Sequence, residues 1–178
     1  MKLLEATQNG IGLSDIPDEW FELSESYFGD QIMWNNYQAI IGERMCLQHR
    51  YDEAAFLIDS IFDAKSPLWG MTESSLAVVR FHIAVLHGDL DKAKEIFEMH
   101  LEKNADMIKN DVSYARVKYG YKLITETDSS CIENEKKHFI AISDGMKMSA
   151  YAFMVSYELE CCEEMEAAIK EALATRNT

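Results

Sequence analysis

VVRFHIAVLHGDLDKAKEIFEMHL, residues 78–101, is the stretch whose reading decides the fold. Before His87-Gly88-Asp89 the helix from about Thr72 holds Leu76, Val79, Phe81, Ile83 and Leu86, apolar nearly all round, which marks a central helix. After the turn, Leu90, Ala93, Phe97 and Leu101 share one face at steps of three and four. Lys92, Lys94, Glu95, Glu98 and Glu102 take the other face and point to water. Glycine closes a helix readily because it tolerates the left-handed backbone, and the aspartate after it can cap the next one. The spacing therefore predicts two amphipathic helices folded back on each other.

The same pattern extends outward. Residues 31–49 carry Trp34, Tyr37, Ile41 and Met45 as a helical stripe, with Gly42 in the middle. A glycine there costs roughly 1 kcal/mol against alanine, a cost that close approach of a second helix would offset. His49 to Glu53 turns the chain, and Ala54, Ile58 and Ile61 form the inner face of the next helix. Residues 65–71, KSPLWGM, read as a loop. Toward the C-terminus, residues 111–126 place Val112, Ala115, Tyr119 and Leu123 on one face. Ser130 and Glu133 match a capping box opening a helix that ends at Asp144-Gly145. Residues 148–175 make one long helix or two, with Tyr157, Cys161, Met165, Ile169 and Leu173 inward. Toward the N-terminus, a short helix is expected over 1–9. A second starts at Ser14 to Glu19 and ends at Gly29-Asp30.

These segments predict an all-α chain of eight or nine helices and no strand, arranged as stacked antiparallel hairpins in a single domain over 1–178. Within it, 1–30 form acidic N-terminal helices, 31–104 two repeat-like hairpins and 105–178 the C-terminal helices. The scarcity of proline, only Pro17 and Pro67, agrees with helices. With 178 residues, 48% apolar and 11% aromatic, the chain can bury a substantial core.

The charge balance is 31 acidic against 17 basic residues, a net −14. Residues 1–30 hold −6 and residues 148–178 hold −4. Such a field repels nucleic acid and anionic membrane and attracts basic partners. The surface acids Asp18, Glu22, Glu160, Glu163 and Glu164 are the candidate partner-binding residues. Cys46, Cys131, Cys161 and Cys162 include no CxxC pair and read as free thiols. The first residues, MKLLEATQNG, are too polar for a signal peptide, and no apolar run approaches a membrane span. A cytoplasmic protein is expected.

No constellation identifies a reaction. There is no HExxH, GxGxxG, GxSxG or phosphate-loop motif. Glu135-Lys136-Lys137-His138 is a lone ExxH, half of what a di-iron bundle needs. His87, Asp89 and Asp91 cluster at a turn, where capping explains them better than a cation. Cys161-Cys162 are flanked by Glu158, Glu160, Glu163 and Glu164, which suppress the thiolate. Arg116, Lys118 and Lys122, and separately Lys136-Lys137, are the only basic clusters; Tyr114, Tyr119 and Tyr121 beside the first read as packing residues. Neither catalytic residues, a metal nor a cofactor is expected.

Tyr51-Asp52-Glu53-Ala54 and Leu90-Asp91-Lys92-Ala93 hold equivalent places in two helix pairs, each with Ala opening the second helix. With Gly42 twelve residues before Ala54, this resembles the tetratricopeptide repeat. The resemblance covers about 75 residues and departs in the second pair, where Phe81 takes the small-residue position and His100 an alanine position. It implies helix hairpins stacked into a superhelix that binds proteins. Gly88-Asp89-x-x-x-Ala93 followed by His100-Leu101 is similar to the last helices of the effector domain of GntR-type regulators. That implies an alternative, a pocket for a small molecule or metal near His82 and His100. The favoured reading is a non-enzymatic interaction module, an acidic inhibitory binder of the immunity-protein kind for a basic toxin or nuclease.

Overall fold

The computed structural model describes Pro17, Glu19 and residues 22–63, 70–147 and 153–176. The described residues are all-helical, with no strand among them. Seven helices carry the fold: α1 Gln31–Leu47, α2 Tyr51–Asp63, α3 Gly70–Leu86, α4 Leu90–Ile96, α5 Val112–Thr125, α6 Ser129–Met146 and α7 Phe153–Arg176. Between α4 and α5 the chain runs through a π turn at Phe97–Leu101, a 3-10 turn at Glu102–Asn104 and a single α turn at Ala105–Ile108. The expected count of eight or nine is not reached among these residues. The helix expected over 1–9 lies outside them. Of the one expected to start at Ser14 to Glu19 and end at Gly29-Asp30, a 3-10 turn at Glu25–Tyr27 is described.

The chain divides into two compact units, residues 1–76 and 77–178, with the boundary inside α3. In the first unit α1 packs on α2. Asp30 opens α1 by accepting a 2.8 Å hydrogen bond from the Met33 N–H. Gly42 faces Ile58 of α2. A Cβ built on it would lie 2.9 Å from Ile58 Cγ1, and Ile58 is fully buried. Ala54 is also fully buried, so the two small residues permit the close crossing expected of them. The stripe of α1 is less sharply inward than its spacing implies. Tyr37 is buried, whereas Trp34, Ile41 and Met45 are half-buried.

The turns after α1 and α3 share one geometry. After α3, the Gly88 N–H donates to Val85 O and the Asp89 N–H to Ala84 O, both at 2.9 Å, with Gly88 at φ +74°. After α1, the His49 N–H donates to Cys46 O and the Arg50 N–H to Met45 O, both at 2.9 Å, with His49 at φ +57°. Both pair the two bonds of a Schellman stop. His49 takes the left-handed backbone that Gly88 adopts without strain.

In the second unit α5 is central and packs against both α6 and α7. Phe81, Leu90, Phe97, Leu101, Phe139 and Met165 are among the buried side chains of its core. All four apolar residues expected on the inner face after the Gly88 turn are buried, although the regular helix gives way to the π turn at Phe97. Asp89 caps α4, accepting from the Lys92 N–H at 3.1 Å. The capping box expected at Ser130 is corrected. Asp128 is the cap of α6 and accepts from both the N–H and the hydroxyl of Ser130, one residue inside the helix. A capping residue needs non-helical backbone just ahead of the first turn; Asp128 has it at φ −79° and ψ 108°, whereas Ser130 already lies within the helix. The helix also continues through Asp144-Gly145 to Met146, with Lys147 bound to Asp144 at 2.7 Å. The central helix starts at Gly70, before the expected Thr72, and Thr72 within it donates its hydroxyl to Asn36 of α1.

Candidate functional site

Of the five acids expected to bind a partner, Asp18 lies outside the described residues. Glu22 is exposed in the first unit. Glu160, Glu163 and Glu164 lie within one helical turn of α7; the first two are exposed and Glu164 is half-buried. Its Oε2 lies 3.7 Å from Nε2 of the buried His82 on α3.

Behind Glu164 lies a buried polar network. Arg116 of α5 is 3% exposed and Glu158 of α7 is 2% exposed. The Arg116 Nε donates to Glu158 Oε2 at 2.8 Å, and the Ser113 hydroxyl donates to Oε1 at 2.6 Å. Arg116 Nη1 lies 3.2 Å from His82 Nδ1. A guanidinium only donates, so in this hydrogen bond His82 Nδ1 accepts. Burial works to lower the Arg116 pKa, and the adjacent Glu158 carboxylate overcomes this and raises it. The guanidinium stays charged.

The next turns of α7 add a second cluster. Glu166 accepts from Lys136 Nζ at 2.8 Å, from Lys170 Nζ at 2.5 Å and from the Tyr119 hydroxyl at 3.0 Å. Burial works to raise its pKa, but these three donors outweigh burial and bring it down to about 2. Burial pushes the Tyr119 hydroxyl up, helped by Glu166. It also pushes both the Cys161 and Cys162 thiols up to about 11, so they stay protonated near neutral pH. Sequence pointed to acidic neighbours as the cause; burial comes first, with Glu158 adding to it at both thiols and Arg116 opposing it.

A pH dependence follows. Glu166 has a folded pKa below its unfolded value of about 4.3. Its contribution is complete above that value and disappears as pH falls from about 4.3 toward 2. Allowing for the solvent exposure of Lys136 and Lys170, it amounts to roughly 1–2 kcal/mol. Glu166→Gln is expected to flatten the fall in unfolding free energy across this window, measured by urea titration at a series of pH values. A slope equal to that of the native chain would show that Glu166 titrates as an ordinary surface acid.

The remaining motifs are engaged by packing. Asp91 pairs with Arg176 at 3.0 Å, and Glu135 of the ExxH pairs with Lys118 at 3.0 Å. Lys122 pairs with Glu126 at 2.8 Å and Lys137 with Glu133 at 3.8 Å. Every base in the two clusters noted in the sequence thus has an acidic partner. The tyrosines are also in use: Tyr121 stacks on Phe97 with centroids 4.2 Å apart and donates its hydroxyl to Glu98 at 2.9 Å. Among the described residues no helix is long and apolar enough to cross a membrane.

The first unit presents a different kind of surface. An open depression of about 480 Å³ between α1 and α2 is lined by Ile41, Met45, Phe56 and Leu57, with the exposed acids Asp52 and Glu53 in its wall. Phe56 is 82% exposed. Arg50 holds Glu53 through two bonds, at 2.8 and 2.5 Å. This groove was not foreseen; the signal for it was Phe56, which falls off the Ala54, Ile58 and Ile61 face.

Compared with protein-family models, with curated proteins and with solved structures, the chain matches none.

Proposed function

We propose that this chain is a non-enzymatic protein–protein interaction module that uses its acidic surface to capture a basic protein. In this reading it is an inhibitory binder of a cationic toxin or nuclease, an immunity protein in physical type, acting in the cytoplasm. The observation that carries the proposal is the segregation of charge. Residues 1–76 hold thirteen acidic against four basic residues, a net −9 of the total −14. Of those four bases Arg44 is buried and Arg50 is bound to Glu53. Like-signed surface charge speeds association with an oppositely charged partner and sets its salt dependence.

The reading includes a tetratricopeptide-like arrangement of the hairpins. Two features support it. The left-handed turn residues His49 and Gly88 have the same sequence offset as the buried alanines Ala54 and Ala93. Gly42 also stands at a close helix crossing, as such repeats require.

Affinity capture followed by mass spectrometry, at low and at raised salt, tests the function. The native chain is expected to retain basic proteins in a salt-sensitive manner. A variant carrying Glu22→Lys, Glu160→Lys and Glu163→Lys is expected to bind them about tenfold or more weaker, with a flatter salt dependence. Unchanged capture and an unchanged salt slope would remove the electrostatic basis of the proposal.

A further inference from the structure

The groove between α1 and α2 gathers four apolar side chains, Ile41, Met45, Phe56 and Leu57, beside Gln38, Asp52 and Glu53. Ala54, Ile58 and Ile61 are the buried face of α2, and Phe56 projects from the opposite side at 82% exposure. Ile41, Met45 and Leu57 are only half-buried beside it. A large aromatic in water next to three further apolar side chains is a feature of binding surfaces, where aromatic residues and adaptable methionines act as anchors. The depression is open, about 480 Å³, and bounded by two helices. That form suits one or two side chains of a helix laid across it.

Charge selects the occupant. The groove lies in the unit that carries net −9, and Asp52 is exposed in its wall. A nucleic acid or an acidic helix would be repelled. We propose that this groove is the docking site for an amphipathic helix of a basic protein partner. The helix sets an apolar side chain against Met45 and Phe56, and its lysines or arginines lie toward Asp52. This rests on the reading of the chain as a binder of basic proteins and gives that reading a location.

The test uses the full chain and fluorescence anisotropy. The probe is a labelled synthetic leucine/lysine helix of about five turns with its leucines on one face. The controls are the same composition scrambled, and a leucine/glutamate helix of the same register. The leucine/lysine helix is expected to bind and the controls are not. Phe56→Ser is expected to weaken binding about tenfold or more. Asp52→Lys is expected to weaken it and to flatten its salt dependence. Both residues are exposed, so both variants should fold, and circular dichroism checks this. Ile140→Ser, at an exposed apolar residue of the second unit, should leave binding unchanged.

Absence of binding by the native chain, or equal binding of the scrambled peptide, overturns the groove. So does unchanged affinity of Phe56→Ser. A dimer of the native chain that Phe56→Ser abolishes, seen by sedimentation velocity, would seat a second copy there and also overturn it. In each case persistent salt-sensitive capture of basic proteins leaves the broader reading standing; loss of that capture removes it.

Discussion

Glu158→Ala is expected to lower the unfolding free energy by about 3–5 kcal/mol. The substitution leaves the Arg116 guanidinium 3% exposed with its carboxylate gone, and Ser113 loses its acceptor. A buried charge without a counter-charge has no way to recover the hydration it gave up on folding. For a chain of this length such a loss shifts the melting temperature by roughly 6–20 °C. The double variant Arg116→Met with Glu158→Leu removes both charges and fills similar volume. It is expected to recover most of the stability, because apolar replacements of whole buried ion pairs are often neutral or better. Recovery will be incomplete, since His82 Nδ1 loses the donor it has in Arg116. Urea unfolding followed by circular dichroism measures both. A single variant within about 1 kcal/mol of the native chain would mean that water reaches Arg116 and that the pair is not a buried one.

This pair shows why part of the chemistry was hard to read in advance. Arg116 stands beside Lys118 and Lys122, and Glu158 opens a run that includes Glu160, Glu163, Glu164 and Glu166. Each looks like one more member of a solvated charged face. Their partnership spans 42 positions, and nothing local connects them. A faint signal existed in the periodicity. Arg116 is four residues after Val112 and three before Tyr119, on the inner face of α5. Glu158 is three residues before Cys161, seven before Met165 and eleven before Ile169, on the inner stripe of α7. A charge at an apolar register position is a candidate for a buried pair, and that test applied to both helices would have flagged these two.

The hairpins were more legible because their determinants are local. Gly88-Asp89 carries both a helix stop and a helix cap within two residues, and the structure uses each in that way. The turn at His49 carries no glycine and was legible only through its equivalence with the first. Acidity was legible as a total but not as a surface. At the C-terminal end the excess of acids over bases is partly offset by bases from elsewhere in the second unit, since Arg116 and Lys136 neutralise Glu158 and Glu166. No count of charges along the chain reveals that pairing. The groove at Phe56 has the same origin: exposure of an aromatic depends on what the neighbouring helix leaves uncovered, which the spacing within one helix does not state.

The second large effect lies where α5 meets α7. A Cβ built on Gly120 would stand 2.5 Å from Met165 Sδ, 2.9 Å from its Cε and 3.1 Å from Phe81 Cε1. Met165 and Phe81 are both fully buried, so the thioether has no solvent to swing into. Met165→Ala alone removes a filled volume and is expected to cost about 2–5 kcal/mol. Gly120→Ala alone gains about 1 kcal/mol of helix propensity but overpacks the crossing by about 1–3 kcal/mol, for a net loss of about 0–2 kcal/mol. The two costs have opposite causes, a void and a clash at one place. The double variant puts the new methyl where the sulfur was, so its cost is expected to fall short of the sum by about 1–2 kcal/mol. Thermal and urea unfolding of the four proteins in the cycle measure that coupling. Additive losses would mean that α5 and α7 separate to admit the methyl, and the glycine would then owe its place to something other than this contact.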